Sequence, residues 1–342
     1  MRVAVYYSNR DVRIEDRPVP KVGPGELLVR VEASGICGSD VMEWYRRDRV
    51  PLVLGHEFAG AITEVGAGVT SFLPGDRVAI AHHVPCNTCH YCRSGHHTVC
   101  DTLRRTNVDP GGFAEYVRVP AINVDRGVFR LPATVSFEEG SFVEAVACVS
   151  RGQRLAHLQP GQSVLVLGSG ITGLLHIMLA RATGAGRIVA TDVVDYRLDL
   201  AKRLGADAVI HASGDVPQLL RQINDGRLAD LVVLCTGALP AIQQALHSVE
   251  RSGTVLFFAP TGPGETFPFP INDVFWRNEV TLTSSYGGSP ADYALALELV
   301  RSHRVPVTDM VTHRLGLAEA GLGFRLVAEA RESAKVIIEP QR

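Results

Sequence analysis

Over roughly the first 145 residues, apolar positions alternate with polar ones or bunch into short runs. Stretches 1–7, 26–33, 58–65, 76–81 and 113–119 therefore read as strands. Turn signals separate them, among them Val22-Gly23-Pro24-Gly25 and Leu73-Pro74-Gly75-Asp76. Many short strands with such punctuation predict a barrel-like or sandwich-like β domain. Near residue 148 the period changes. Strands at 163–167, 187–191, 208–211, 231–235 and 254–259 alternate with helical patterns at 173–183, 195–204, 216–224 and 240–250. This alternation predicts a parallel sheet covered on both faces and joined by crossover helices. After an irregular stretch (TGPGETFPFP), helices are expected at 292–302 and 319–330 and a closing strand at 334–339, returning to the first domain. The fold class is α/β plus β. Its parts are a β-rich domain over 1–147, a doubly wound domain over 148–285 and a returning segment over 286–342.

Composition narrows the class. The chain has 342 residues, 46% hydrophobic and 20% charged, enough for two domains with sizeable cores. Lys and Arg number 34 against 36 Asp and Glu, a net charge of −2 without basic blocks, which argues against nucleic acid as a partner. The first residues, MRVAVYYSNR, place charge inside the first apolar run and offer no signal-peptide core. Apolar stretches are interrupted before they could span a bilayer, so no membrane partner is expected and a cytoplasmic location is.

In a reducing compartment, clustered cysteines read as metal ligands. Four of the seven fall in one loop, Cys86, Cys89, Cys92 and Cys100, spaced C-x2-C-x2-C-x7-C. Four thiolates complete a tetrahedron around one zinc ion with no position left open, so this is a structural site in a lobe at about 82–104. The histidines of that loop, His82, His83, His90, His96 and His97, are expected at the surface. A second constellation is Cys37, the tripeptide Gly55-His56-Glu57, and Glu144. One thiolate, one imidazole and a carboxylate suffice for a catalytic zinc with an open position. Cys148 and Cys235 read as ordinary buried thiols.

Gly168-Ser169-Gly170-Ile171-Thr172-Gly173 is a G-x-G-x-x-G turn that follows a predicted strand and opens a helix. Gly168 permits the tight turn, Gly170 lets backbone approach a pyrophosphate, and Gly173 lets helix and strand pack closely. The helix N-terminus, with Ile171 and Thr172, offers free N–H groups to phosphate. Asp192 ends the next strand and is expected to accept both adenosine-ribose hydroxyls, favouring NAD over NADP, with Arg197 against the adenine.

Together these residues resemble the zinc-containing medium-chain dehydrogenase/reductase family of the alcohol dehydrogenase superfamily, in its sorbitol, polyol and threonine dehydrogenase branch. The signature around the catalytic histidine is matched by Gly55-His56-Glu57, Gly60, Gly66 and Val69. Pro74-Gly75-Asp76-Arg77-Val78 and Gly111-Gly112-Phe113-Ala114-Glu115-Tyr116 match further family segments. The resemblance implies a GroES-like catalytic domain and a Rossmann domain. It also implies two zinc ions per subunit and NAD-linked interconversion of a secondary alcohol and its ketone. By position it makes Cys37, His56 and Glu57 zinc ligands, Glu144 a ligand directly or through water, and Ser39 the hydroxyl that takes the alcohol proton. It implies a homo-oligomer, a tetramer before a dimer. Two departures stand out: Met42 occupies the usual relay-histidine position, and Tyr286-Gly287-Gly288 replaces the Arg-Tyr pair of mammalian-type sorbitol dehydrogenases. Trp44, Tyr45, Phe113 and Tyr286 are expected to shape the substrate pocket. A threonine 3-dehydrogenase, a polyol-phosphate dehydrogenase and a non-catalytic, zinc-stabilised NAD sensor are the alternatives.

Overall fold

The computed structural model describes all residues, 1–342, and divides into two compact units. Met1–Ala147 joins Gly287–Arg342 in one, and Cys148–Tyr286 forms the other. In chain order the strands are β1 (Arg2–Ser8), β2 (Asp11–Asp16), β3 (Leu27–Gly35), β4 (Leu52–Val53), β5 (Glu57–Val65), β6 (Arg77–Ile80), β7 (Tyr116–Val119) and β8 (Val128–Arg130). They continue as β9 (Val164–Leu167), β10 (Ile188–Asp192), β11 (Ala208–His211), β12 (Ala229–Leu234), β13 (Val249–Phe257), β14 (Thr281–Ser284), β15 (Val311–Gly316) and β16 (Lys335–Glu339).

In the first unit, a seven-stranded sheet runs β15-β16-β3-β5-β6-β8, with β7 also paired to β3. Its pairs are antiparallel except β15 with β16. Strand β3 is central and apolar on one face, where Leu27, Val29 and Val31 are fully buried against Phe58, Ile62 and Val78. A smaller sheet, β2-β1-β4, packs Ala4 and Tyr6 into a core with Phe113, Phe324 and Ile338. The returning segment supplies β15, β16 and the helix Ala320–Glu329 to this unit.

The second unit is one parallel sheet in the order β11-β10-β9-β12-β13-β14. The order reverses direction at β9 and β12, the switch point where open α/β sheets bind ligands. Leu165, Leu167, Val232 and Leu234 in these two strands are wholly buried, as a sheet covered on both faces requires. The helices Ile171–Ala182, Asp195–Arg203, Val216–Ile223 and Leu239–Ser248 connect the strands.

Five strands were not foreseen: β2 (DVRIED), β4 (LV), β8 (VFR), β14 (TLTS) and β15 (VTHRLG). Each is short or polar and stands at a sheet edge, so none needs an apolar face of its own. The segment expected to begin a strand at 113 pairs regularly only from Tyr116. No helix is long and apolar enough to cross a membrane.

Candidate metal centres and dinucleotide turn

Sheet register builds the first centre. Gly35 at the end of β3 pairs with Glu57 at the start of β5. Cys37, just beyond one strand end, thereby meets His56, just before the other, across nineteen residues of sequence. The ligand atoms of Cys37, His56 and Glu57 lie within 4.8 Å of one another. Glu144, buried in the first turn of the helix Val143–Leu155, is not in that set.

Cys37 caps a short 3-10 turn, Gly38–Val41. Asp40 in that turn is wholly buried and orders the centre. Its Oδ2 accepts the Cys37 N–H at 3.0 Å, and its Oδ1 lies 3.3 Å from His56 Nδ1 and 3.4 Å from Arg46 Nη2. Burial alone would raise the Asp40 carboxyl, yet His56, Arg46 and the Cys37 N–H together hold it below the ordinary value. Burial opposes charge on His56 too, but the Asp40 and Cys37 anions raise its pKa well above the usual range. For Cys37 burial wins, and beside Glu57 the free thiol is pushed up. A zinc ion held there would favour its thiolate.

Ser39 Oγ donates to Cys37 Sγ at 3.4 Å. Met42 only closes the turn. The group beside Ser39 is instead Arg46, whose Nε donates to the Ser39 carbonyl at 3.2 Å and whose Nη2 reaches the Ser39 hydroxyl at 3.5 Å. Glu57 forms a buried ion pair with Lys335 of β16.

Two histidines expected at the surface belong here. The His82 ring is 5.0 Å from that of His56 and 3.9 Å from that of His83. His83 is buried, and burial, followed by the His56 charge, lowers its pKa to about 4. His82 is pushed well below its usual value by burial and then by His83, and its buried Nδ1 has no hydrogen-bond partner. Topology could have exposed them. Since β6 runs antiparallel to β5, its C-terminal end lies at the same sheet edge as His56, and His82 follows two residues later. Phe113, by contrast, leaves the pocket list: it is fully buried, edge-on to Phe324 at 5.5 Å, as a core residue. Trp44, Tyr45 and Tyr286 are exposed.

The second centre is the cysteine lobe. Sγ–Sγ distances are 3.5 Å for Cys89–Cys92, 3.6 Å for Cys86–Cys100 and 4.0 Å for Cys86–Cys92. A zinc tetrahedron with ordinary Zn–S bonds has sulfurs about 3.8 Å apart. Backbone N–H groups of Thr88 and Cys89 point at Cys86 Sγ, at 3.4 and 3.2 Å. With the Thr88 hydroxyl they lower that thiol to about 5, while burial pushes Cys92 to about 12. Cys92 and Cys100 pack on Leu103, inside the lobe and away from solvent. Both donor sets fit zinc: four thiolates in the lobe, and a thiolate, an imidazole and a carboxylate beside Ser39.

In the second unit the glycine turn follows β9 directly. Gly168 has φ +93°, and a Cβ on Gly173 would run into the Gly168 carbonyl oxygen. Gly170 is the N-cap of the helix Ile171–Ala182, leaving its first N–H groups open to phosphate. Asp192 ends β10 and is nearly buried. Its Oδ2 accepts the Ser169 N–H at 2.8 Å, and its Oδ1 accepts the Val193 and Val194 N–H groups at 2.8 and 3.0 Å. Three of about four acceptor positions are thus filled, so Asp192 first ties the turn to β10 and has room for one ribose hydroxyl. Arg197 Nη1 stands 3.9 Å from Asp192 Oδ2.

Residues 23–133 match the family model described as "Alcohol dehydrogenase GroES-like domain", and residues 172–302 match "Zinc-binding dehydrogenase". The chain belongs to the zinc-containing medium-chain dehydrogenases, in their polyol branch: an oxidoreductase of the zinc and NAD(P) class. Among its relatives is a protein of Aspergillus clavatus named "Probable D-xylulose reductase A", 34% identical over 96% of this chain and 93% of that one. Another is sorbitol dehydrogenase of Gallus gallus, 34% identical over 98% and 95%. A zinc-binding dehydrogenase of Sinorhizobium meliloti 1021, solved bound to NADP, superposes with a TM-score of 0.88 at 28% identity, covering 99% of each chain.

Proposed function

We propose that this protein interconverts a secondary alcohol of a polyol, cyclitol or sugar alcohol with the corresponding ketone. NAD, when bound, would supply the hydride acceptor. The observation that carries the reading is the convergence of Cys37, His56 and Glu57 beside the Ser39 hydroxyl. The relatives named for D-xylulose reduction and sorbitol oxidation support a polyol.

Cys37 and His56 would hold the catalytic zinc, with Glu57 in reach. Zinc there supplies Lewis acidity that lowers an alcohol's pKa, and nicotinamide supplies the hydride acceptor. Ser39 takes the hydroxyl proton as its own O–H proton passes on to water. Arg46, permanently charged, faces the Ser39 oxygen and disfavours an added proton staying there, so the proton is passed on. Asp40 fixes the ring orientation of His56 through Nδ1. Glu144 acts near the centre rather than in its closest donor set. Cys86, Cys89, Cys92 and Cys100 would hold the structural zinc. Gly168, Gly170, Ile171, Thr172 and Gly173 would receive the pyrophosphate. Asp192 favours NAD over NADP, since a 2′-phosphate would meet its carboxylate.

The protein assembles with copies of itself, a tetramer before a dimer. The open edge of β14 and the exposed Ile271 and Trp276 support this. A cytoplasmic setting suits seven cysteines that form no disulfide. The test is an NADH-formation screen over xylitol, sorbitol, cyclitols, threonine and simple secondary alcohols. Turnover of a polyol above the others supports the reading. Turnover of threonine alone, or of nothing, contradicts it.

A further inference from the structure

Arg46 ends the single helical turn Glu43–Arg46 and is only 9% exposed. A buried guanidinium must be neutralised and hydrogen-bonded at close range. Arg46 is served only in part. Its ion-pair carboxylate is Asp40, at 3.4 Å, and Asp40 also accepts the Cys37 N–H and faces His56 Nδ1. Nε and Nη2 bond to Ser39 and Asp40, whereas no hydrogen bond engages Nη1, which is not closed off from solvent. The guanidinium carbon stands 4.6 Å from the centre of the Tyr45 ring, and Arg49 faces the same ring at 5.3 Å. Stacking and two bonded nitrogens leave a fixed cationic fork with one open arm, beside the hydroxyl assigned to the carbinol proton. The buried Lys335 offers nothing comparable, since it is wholly enclosed and paired with Glu57.

We propose that Arg46 binds a carboxylate of the substrate, so that the alcohol this protein oxidises is a polyhydroxy acid with its carboxylate one or two carbons from the carbinol. The inference rests on the secondary-alcohol reading above and narrows its substrate class. A carbinol oxygen that passes its proton to Ser39 lies about 2.7 Å from that hydroxyl. Arg46 Nη2 lies 3.5 Å from the same hydroxyl, so a group one or two carbons along the substrate comes within reach of the guanidinium. A carboxylate is planar, accepts a charge-assisted bond from Nη1 and brings the single charge that a shared Asp40 leaves wanting. A neutral polyol leaves that arm to water. A phosphate monoester is the poorer match, because its second charge would face the buried Asp40.

The test uses 2-hydroxyisobutyrate, which presents a hydroxyl next to a carboxylate and has no carbinol hydrogen, so it binds without reacting. Its neutral match is 2-hydroxyisobutyramide. Calorimetry compares the two on zinc-loaded protein saturated with NAD, in preparations matched for zinc content. Wild type should bind the acid about tenfold or more tighter than the amide. Arg46→Met should bring that ratio to about threefold or less. A ratio near one in wild type overturns the proposal, and so does an unchanged ratio in R46M, which would assign the preference to the metal. Should R46M not fold, Arg46→Lys decides: it keeps the charge and loses the fork, so the ratio should fall about threefold or more, and an unchanged ratio overturns the proposal. Turnover separates this inference from its foundation. NADH formation is compared for xylonate and gluconate, for xylitol and sorbitol, and for sorbitol 6-phosphate. An acid should exceed its matched polyol about tenfold or more in kcat/KM. Polyols or the phosphate turned over as well as the acids overturn this inference alone. No turnover of any of them takes the secondary-alcohol reading down with it.

Discussion

His176 should make the dinucleotide unit acid-sensitive. It lies in the helix that opens at the glycine turn and has no exposed surface. Its Nδ1 is 3.2 Å from Gln153 Nε2, and Phe258 packs edge-on with its ring centre 4.6 Å away. Burial lowers its pKa from 6.5 to about 3. Above pH 6.5 the ring is neutral folded or unfolded, and the group leaves stability independent of pH. As pH falls from 6.5 toward 3, the unfolded chain takes up a proton that the folded protein refuses, so stability is lost across that window. The loss is about 2 kcal/mol at pH 5 and about 4 kcal/mol near pH 3. With the ring fully buried, solvent screening does not reduce these figures. The perturbation is His176→Met, which keeps an apolar side chain and removes the titration. The assay is hydrogen exchange of peptides from β9 and β10 at pH 7.5 and 5, corrected for intrinsic exchange rates. Titrations common to both proteins cancel in the comparison. Wild type should lose about 2 kcal/mol more protection than the variant over that interval. Equal losses would refute the argument.

Two other perturbations address the metal centres. Cys86→Ser should lower zinc content from two per subunit to one and reduce melting temperature, while protein that remains folded keeps its affinity for NADH; elemental analysis with thermal melts checks this. Asp40→Asn weakens the hold on His56 and leaves the buried Arg46 charge uncompensated, so catalytic zinc should dissociate about 10- to 100-fold more readily, measured by chelator competition.

Elements whose signal is local were readable from the sequence. The apolar runs of β9, β10 and β12 need no context, because strands buried on both faces must be apolar throughout. The Gly168–Gly173 turn and the cysteine lobe are equally compact, each within sixteen residues of chain. What stayed hidden depends on pairing between distant segments. Lys335 lies 278 residues from Glu57, and only the β16–β3–β5 register brings them together. His82 was hidden for the same reason, in a loop where four cysteines already accounted for the polar character. Arg46 meets Ser39 only once the turn after Cys37 has folded it back over that residue. Phe113 erred the other way: an aromatic in a signature segment suggested a pocket wall, whereas packing on Phe324 makes it core.

The central claim is that chemistry occurs at Cys37 and His56 while the cysteine lobe only supports the fold. The most direct measurement combines zinc content, NADH binding and polyol-dependent NADH formation in Cys37→Ser. The account predicts one zinc per subunit instead of two, turnover lost, and NADH affinity within about twofold of wild type, since uniform cofactor binding does not depend on the lost group. Two zinc ions retained with substantial turnover would contradict it.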